Sequence, residues 1–146
     1  MALSIIIIVI STALFVYWFR YTCVLILRTR NVRDYAHQVA EVNRLSFVTA
    51  QQQLAASQGK PEGMDLLHAS LDRDYRVVSY LLQHTGTQGG QSLEEHMLRV
   101  DYQIMRLCYF FAKPLSRSSA RQALLERASI ISHLANAMGE RVALSS

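Results

Sequence analysis

The chain has 146 residues, of which 51% are hydrophobic, and carries 15 Lys and Arg against 11 Asp and Glu. Four of the basic residues, Arg20, Arg28, Arg30 and Arg33, precede every acidic one, so residues 34–146 hold eleven of each sign and are neutral. That balance, with no basic domain and no interleaving of aromatic and basic residues, excludes a nucleic-acid-binding reading. The two cysteines, Cys23 and Cys108, form no CxxC or CxxCH motif and no disulfide framework, and are expected to be free, packed thiols.

Residues 2–19 (ALSIIIIVISTALFVYWF) contain no charge. As a helix this stretch is about 27 Å long, close to the ~30 Å hydrocarbon core of a bilayer. Eleven of its eighteen residues are Leu, Ile, Val or Phe, which together favour insertion by about 4–5 kcal/mol. Residues 1–27 are therefore read as a single transmembrane helix with its interface. Tyr17, Trp18 and Tyr21 cluster at its C-terminal end, where amphipathic rings prefer the headgroup level. Arg20, Arg28, Arg30 and Arg33 suit anionic headgroups, at about 1 kcal/mol per residue near the surface. These seven residues form the expected membrane interface. All the nearby basic residues follow the span, so the positive-inside rule expects the N-terminus outside and the remainder in the cytoplasm. Arg20 is followed by apolar Tyr21–Leu27. The preferred reading ends the span at Phe19 with Arg20 at the interface, because a charge at mid-bilayer costs at least ~2.5 kcal/mol. The other runs a tilted span to Leu27 with Arg20 snorkelling. A cleaved signal peptide is disfavoured by the uncharged start and the long apolar run.

No Pro or Gly occurs before Gly59. A juxtamembrane helix over 28–58 is expected to continue into the bundle, with Val32, Tyr35/Ala36, Val39 and Val42 at three–four spacing. A break near residues 28–31 fits equally well. Phe47-Val48-Thr49 alone reads locally as strand, within a helical surround. Gly59–Gly63 is a turn. A helical domain follows over 64–142, with helices at 64–84, 92–113 and 117–142. The first places Leu67, Leu71, Tyr75, Val78 and Leu82 on one face, leaving Asp72, Arg73, Asp74 and Arg76 to a solvated face. Gly86–Gln91 is a polar loop without a phosphate-binding pattern. Ser92-Leu93-Glu94-Glu95 is a capping box opening the next helix. That helix has two apolar stripes: Leu93, Met97, Val100, Ile104, Leu107 and Phe111, and Leu98, Tyr102, Met105, Tyr109 and Ala112. This places it centrally in a bundle or against a partner. Pro114 ends it. Ser116 or Ser118 caps the last helix, whose stripe is Ala120, Leu124, Ala128, Ile131, Leu134/Ala135, Met138 and Val142.

Five histidines, His37, His68, His84, His96 and His133, are the natural candidates for a haem or metal site between helices. No Glu-x-x-His motif and no His pair at i, i+4 occurs, so surface or polar-edge positions are the default. A membrane-anchored module binding haem or another ligand through His96 and His133 is the alternative function. Asp101 and Arg106 interrupt the apolar helix, either as a buried polar site with Glu126 or Arg121 or, by default, as boundary residues. No GxSxG and no nucleophile near a base is present, so no catalytic, cofactor or metal residue is assigned. A three-helix domain has few inward positions, and the surplus of apolar residues makes Tyr102, Met105, Tyr109, Phe110 and Phe111 the candidate partner-binding surface; core is the default for the tyrosines. The expectation is an all-α fold: one N-terminal transmembrane helix, then a small antiparallel helical bundle. Its expected role is that of a non-enzymatic single-pass membrane protein, a small accessory, scaffold or assembly subunit. Its expected partners are membrane lipids and other membrane-protein subunits or itself.

Overall fold

The computed structural model describes residues 1–28, 35–56, 61–85 and 93–145. These form six helices: α1 (Ala2–Arg28), α2 (Ala36–Asn43), α3 (Phe47–Ala56), α4 (Pro61–His84), α5 (Leu93–Leu115) and α6 (Arg117–Ser145). No strand occurs among the described residues, and the fold is all-α as expected. The chain divides into two units, Met1–Arg30 and Asn31–Ser146.

The first unit is α1. Its apolar side chains are exposed along the helix, Ile5 to Ile10, Leu14, Phe15 and Trp18 among them. Among the described residues it is the one helix long and apolar enough to cross a membrane. Its two threonine hydroxyls are satisfied internally: Thr12 donates to the Ile8 carbonyl at 2.8 Å and Thr22 to that of Trp18 at 2.9 Å. Back-bonding of this kind lets a polar side chain sit in a helix with no other partner.

The second unit is arranged around α6, which packs against α2, α3, α4 and α5. Ala120, Ala123, Ala128 and Ala135 are buried on it, and these small residues let neighbouring helices approach closely. Leu124, Ile130, Ile131 and Leu134 have no exposed surface, each contributing about 1.5–3 kcal/mol on burial. The stripe read from the sequence is buried except for Val142, which is exposed. The central helix is thus α6 rather than α5. A stripe of small residues is wide enough to accept several neighbours, whereas the bulky stripe of α5 from Leu93 to Phe111 stays open. Helices α4 and α5 run antiparallel, joined by Asp65 to Lys113 and Asp72 to Tyr102. Helices α5 and α6 are also antiparallel, with ion pairs from Glu94 to His133 and from Glu95 to Arg141. Only Ser116 separates α5 from α6. Its N–H donates to the Ala112 carbonyl and its own carbonyl accepts from Ala120 N–H. Pro114 lies inside the last turn of α5 instead of ending it.

The stretch expected to be one juxtamembrane helix is broken at Arg44–Ser46; residues 29–34 lie outside those described. Arg44 is left-handed, with φ 52°. Its N–H donates to the Glu41 carbonyl and that of Leu45 to the Ala40 carbonyl, a Schellman stop made without glycine. Ser46 then opens α3. Its N–H donates to Asp74 Oδ2 at 2.6 Å and its hydroxyl at 3.1 Å. A carboxylate there faces the positive end of the helix. Asp74 is fully buried, and Asp72 is mostly buried at a site described below, so neither lies on the expected solvated face; Arg73 and Arg76 do. Phe47–Thr49 is helical.

Helix α2 docks on the C-terminal part of α6, where Tyr35 N–H donates to Asn136 Oδ1 at 2.7 Å. A Cβ on Gly139 would stand 2.4 Å from Tyr35 Cβ and 3.4 Å from Val39 Cγ2. Gly139→Ala is therefore expected to lower the stability of the bundle, by the ~1–3 kcal/mol of overpacking less the ~1 kcal/mol that alanine gains in a helix. Gly63→Ala, where a Cβ meets nothing within 4 Å, should be neutral or stabilising. Chemical unfolding of both variants checks the contrast, and equal effects would contradict the Tyr35 contact.

Candidate functional site: a buried arginine cluster and the open face of α5

Arg127 lies on the buried stripe of α6 and its side chain has no exposed surface. Its environment is built by α4 and α5. The Nη2 group donates to Asp72 Oδ1 at 2.5 Å and to the Tyr102 hydroxyl at 2.7 Å. Tyr102 in turn donates to Asp72 Oδ1 at 3.0 Å, with the Leu71 carbonyl at 3.2 Å. The guanidinium carbon stands 4.7 Å from the centre of the Tyr102 ring, a cation–π contact strengthened by the absence of water. Tyr75 stacks on the same ring at 3.8 Å between centroids. Arg106 reaches Asp72 Oδ2 at 3.5 Å. One carboxylate thus serves two guanidinium groups. Burial raises the Tyr102 pKa well above the ordinary tyrosine value and keeps its hydroxyl a donor.

His68 completes the cluster. Its Nδ1 lies 2.5 Å from Arg127 Nη1. A guanidinium only donates, so this Nδ1 must be the unprotonated acceptor, and the ring proton sits on Nε2. A second proton would set N–H against N–H and add a third cation around Asp72. Burial first, and then the Arg127 charge, lower the His68 pKa below 6.5. The ring stacks on Tyr109 at 4.6 Å and meets the edge of Phe110 at 5.4 Å. Tyr109 donates to Asp65 Oδ1 at 3.0 Å, and Lys113 bonds both oxygens of Asp65 at 2.7 and 2.9 Å. Burial, and then the hydrogen bond to Asp65, push the Tyr109 hydroxyl up to about 12. The Lys113 and Tyr109 bonds lower the Asp65 pKa.

The expected partner-binding residues separate into two groups. Tyr102, Met105 and Tyr109 are buried against this chain's own helices, whereas Phe110 and Phe111 are exposed, at 57% and 72%. The stripe containing Phe111 is the open one: Leu93, Val100 and Leu107 are exposed and Met97 and Ile104 half-buried. Leu115 at the end of α5 is also exposed. Of the expected interface residues, Tyr17, Trp18, Tyr21 and Arg28 are exposed, and Arg20 is half-buried. The rings of Tyr17, Trp18 and Tyr21 form successive edge-on contacts at about 6 Å. Arg30 and Arg33, like Ser92 of the capping box and the loop Gly86–Gln91, fall outside the described residues. Neither Cys23 nor Cys108 is in a disulfide; Cys23 is buried, but Cys108 is exposed, not packed, because it lies on the open side of α5.

His133 Nε2 is held by Glu94 Oε1 at 2.8 Å, while His96 is exposed. No group of three or more His, Cys, Asp or Glu side chains that could hold a metal occurs among the described residues. Asp101 is buried on α5, but Arg106 pairs with Asp72 and Arg121 donates to the Leu54 carbonyl at 2.7 Å at the end of α3. Asp101 is thus interior rather than a boundary residue, and Arg106 belongs to the Arg127 cluster. The signal for Arg127 was present: Ala120, Leu124, Arg127, Ile131, Leu134 and Met138 keep strict four–three spacing, with one charge in a buried stripe. No protein-family model, curated protein or solved structure matches the chain.

His68 makes stability pH-dependent. Its folded pKa lies below the unfolded value, so its contribution is complete above about pH 6.5 and is lost as pH falls through the folded pKa. Unfolding free energy is expected to fall between pH 7.5 and 5. The slope should be smaller in His68→Gln, as measured by denaturant titration across that range; an unchanged slope would contradict the assigned tautomer. Arg127→Ala, which strands Asp72 and Tyr102, is expected to cost about 3–5 kcal/mol in the same assay.

Proposed function

We propose that this chain is a non-enzymatic, single-pass membrane protein whose helical bundle is held at the bilayer by α1 and acts through protein contacts. In this reading it is a small accessory, scaffold or assembly subunit of a membrane complex. Support for the span comes from the length of α1 and its exposed apolar surface. A helix that presents apolar residues on all sides has no stable place in water, and lipid satisfies that surface. Aromatic and basic residues at its C-terminal end suit a headgroup boundary, with the Arg-rich side in the cytoplasm.

The observation that carries the contact role is the open stripe of α5. Leu107, Phe110, Phe111 and Leu115 are large, apolar and exposed on a bundle whose core is already filled by the opposite face of the same helix. Contiguous apolar surface of this kind marks an interaction site. Localisation is then the mechanism: α1 fixes the bundle at the membrane and α5 engages another subunit. The Arg127 cluster serves to hold α4, α5 and α6 in register beneath that face.

Phe111→Asp is expected to abolish co-purification of associated subunits after mild-detergent extraction, while the chain stays in the membrane fraction and keeps its helical circular dichroism. Tyr109→Asp, at a buried site, is expected to unfold the bundle instead. If Phe111→Asp unfolds the chain as Tyr109→Asp does, Phe111 is core and the contact role is lost. If both variants fold and associate normally, the α5 face is not the contact.

A further inference from the structure

Helix α4 is not held evenly along its length. Its C-terminal part buries Leu71, Asp74, Val78 and Leu82, whereas of residues 63–70 Met64 alone is buried. The other ties of that N-terminal stretch are polar. Asp65 bonds Tyr109 and Lys113, and His68 bonds Arg127. The Asp65 and Lys113 side chains are 63% and 52% exposed, and a solvated pair of this kind contributes little. His68 is therefore the tie on which the stretch depends, and with 15% of its side chain exposed it is open to protons from solvent.

We infer that His68 is an acid-operated latch: when its imidazole takes a second proton, residues 63–70 lift from α5 and α6 while residues 71–84 and the remainder of the bundle stay packed. The groups around the ring favour its neutral form. Asp65 and Asp72 face it from α4 itself, Arg106, Lys113 and Tyr109 from α5, and Arg127 from α6. Helix α3, which also packs on α4, carries no charged or titratable side chain. A second proton would set four cations around two carboxylates. Asp72 Oδ2 lies 3.9 Å from His68 Nε2, but the same carboxylate already serves Arg127 and Arg106. Burial and then Arg127 lower the His68 pKa in the closed form, so proton uptake favours release, and it does so as pH falls below about 6.5. Asp65, its pKa lowered by the Lys113 and Tyr109 bonds, stays charged down to pH 5 and does not titrate in this range. Release uncovers Tyr109, 1% exposed when closed, and takes the His68 ring off the edge of Phe110. The latch does not depend on what α5 contacts.

Amide hydrogen exchange on the full chain in detergent micelles, at pH 7.5 and pH 5 and corrected for intrinsic rates, tests this. A released stretch this short does not keep its helix, so amides 65–70 are expected to lose protection by about tenfold or more at pH 5, while amides 74–84 and those of α6 keep theirs. The midpoint of that loss should coincide with the His68 imidazole titration followed by NMR in the same sample. His68→Gln, which keeps an acceptor for Arg127 without titrating, should protect residues 65–70 equally at both pH values. Unchanged protection in the unmodified chain, a loss spread evenly over α4, α5 and α6, a midpoint apart from that of His68, or a loss that persists in His68→Gln would each overturn the latch. The first three readings need no variant, so they decide the matter even if His68→Gln does not fold.

Discussion

The bundle depends on one guanidinium with no exposed surface. Arg127 sits where α4, α5 and α6 meet, and a cation there is tolerable only if every neighbour is placed for it. Asp72 supplies the counter-charge, Tyr102 an acceptor oxygen and a ring face, and a neutral His68 an unprotonated nitrogen. Sliding α4 or α5 by one turn along α6 would strip these partners away. The cluster therefore sets the register of three helices whose apolar contacts alone would permit several alignments. Tyr102 and Tyr109, at the edges of this arrangement, also decide which side of α5 faces inward.

That choice has a consequence for the surface. Helix α5 carries two apolar stripes, and polar chemistry selects between them. Tyr102 and Tyr109 can reach Asp72 and Asp65, so their stripe turns in. The stripe of Leu93, Val100, Leu107 and Phe111 has no such tie and turns out. Small residues on α6 complete the division of labour. They make α6 the helix that the others surround, leaving α5 at the edge of the bundle with one face uncovered. Interior and surface meet at His68, which stacks on Tyr109 and touches Phe110.

Helix content, the apolar N-terminal helix and the buried stripe of α6 were legible in the sequence because each follows from periodicity or composition alone. The break at Arg44 was not, since its left-handed stop uses no glycine and the signal that begins α3 comes from Asp74, 28 positions away. The same limit hid the Arg127 cluster. Charges at Asp72 and Asp74 have the local pattern of a solvated face, and only the packing of α4 on its neighbours turns them inward. The surplus of apolar residues on α5 was readable, but which stripe would be left over depended on hydrogen bonds made by Tyr102 and Tyr109 to a different helix.

In the proposed reading, an apolar helix suited to a bilayer and an uncovered apolar face on a neutral bundle make a module that works by being held in place and touching another chain. The claim turns on whether the outward stripe of α5 is covered in the membrane. Hydroxyl-radical footprinting of the full chain, in native membranes and again as a detergent-isolated monomer, measures this directly. Tyr102 and Tyr109 should be protected in both states, and Leu107, Phe110 and Phe111 protected in membranes but modified in the monomer. Equal modification of Leu107, Phe110 and Phe111 in both states, or their protection in the monomer, would contradict a contact role for α5.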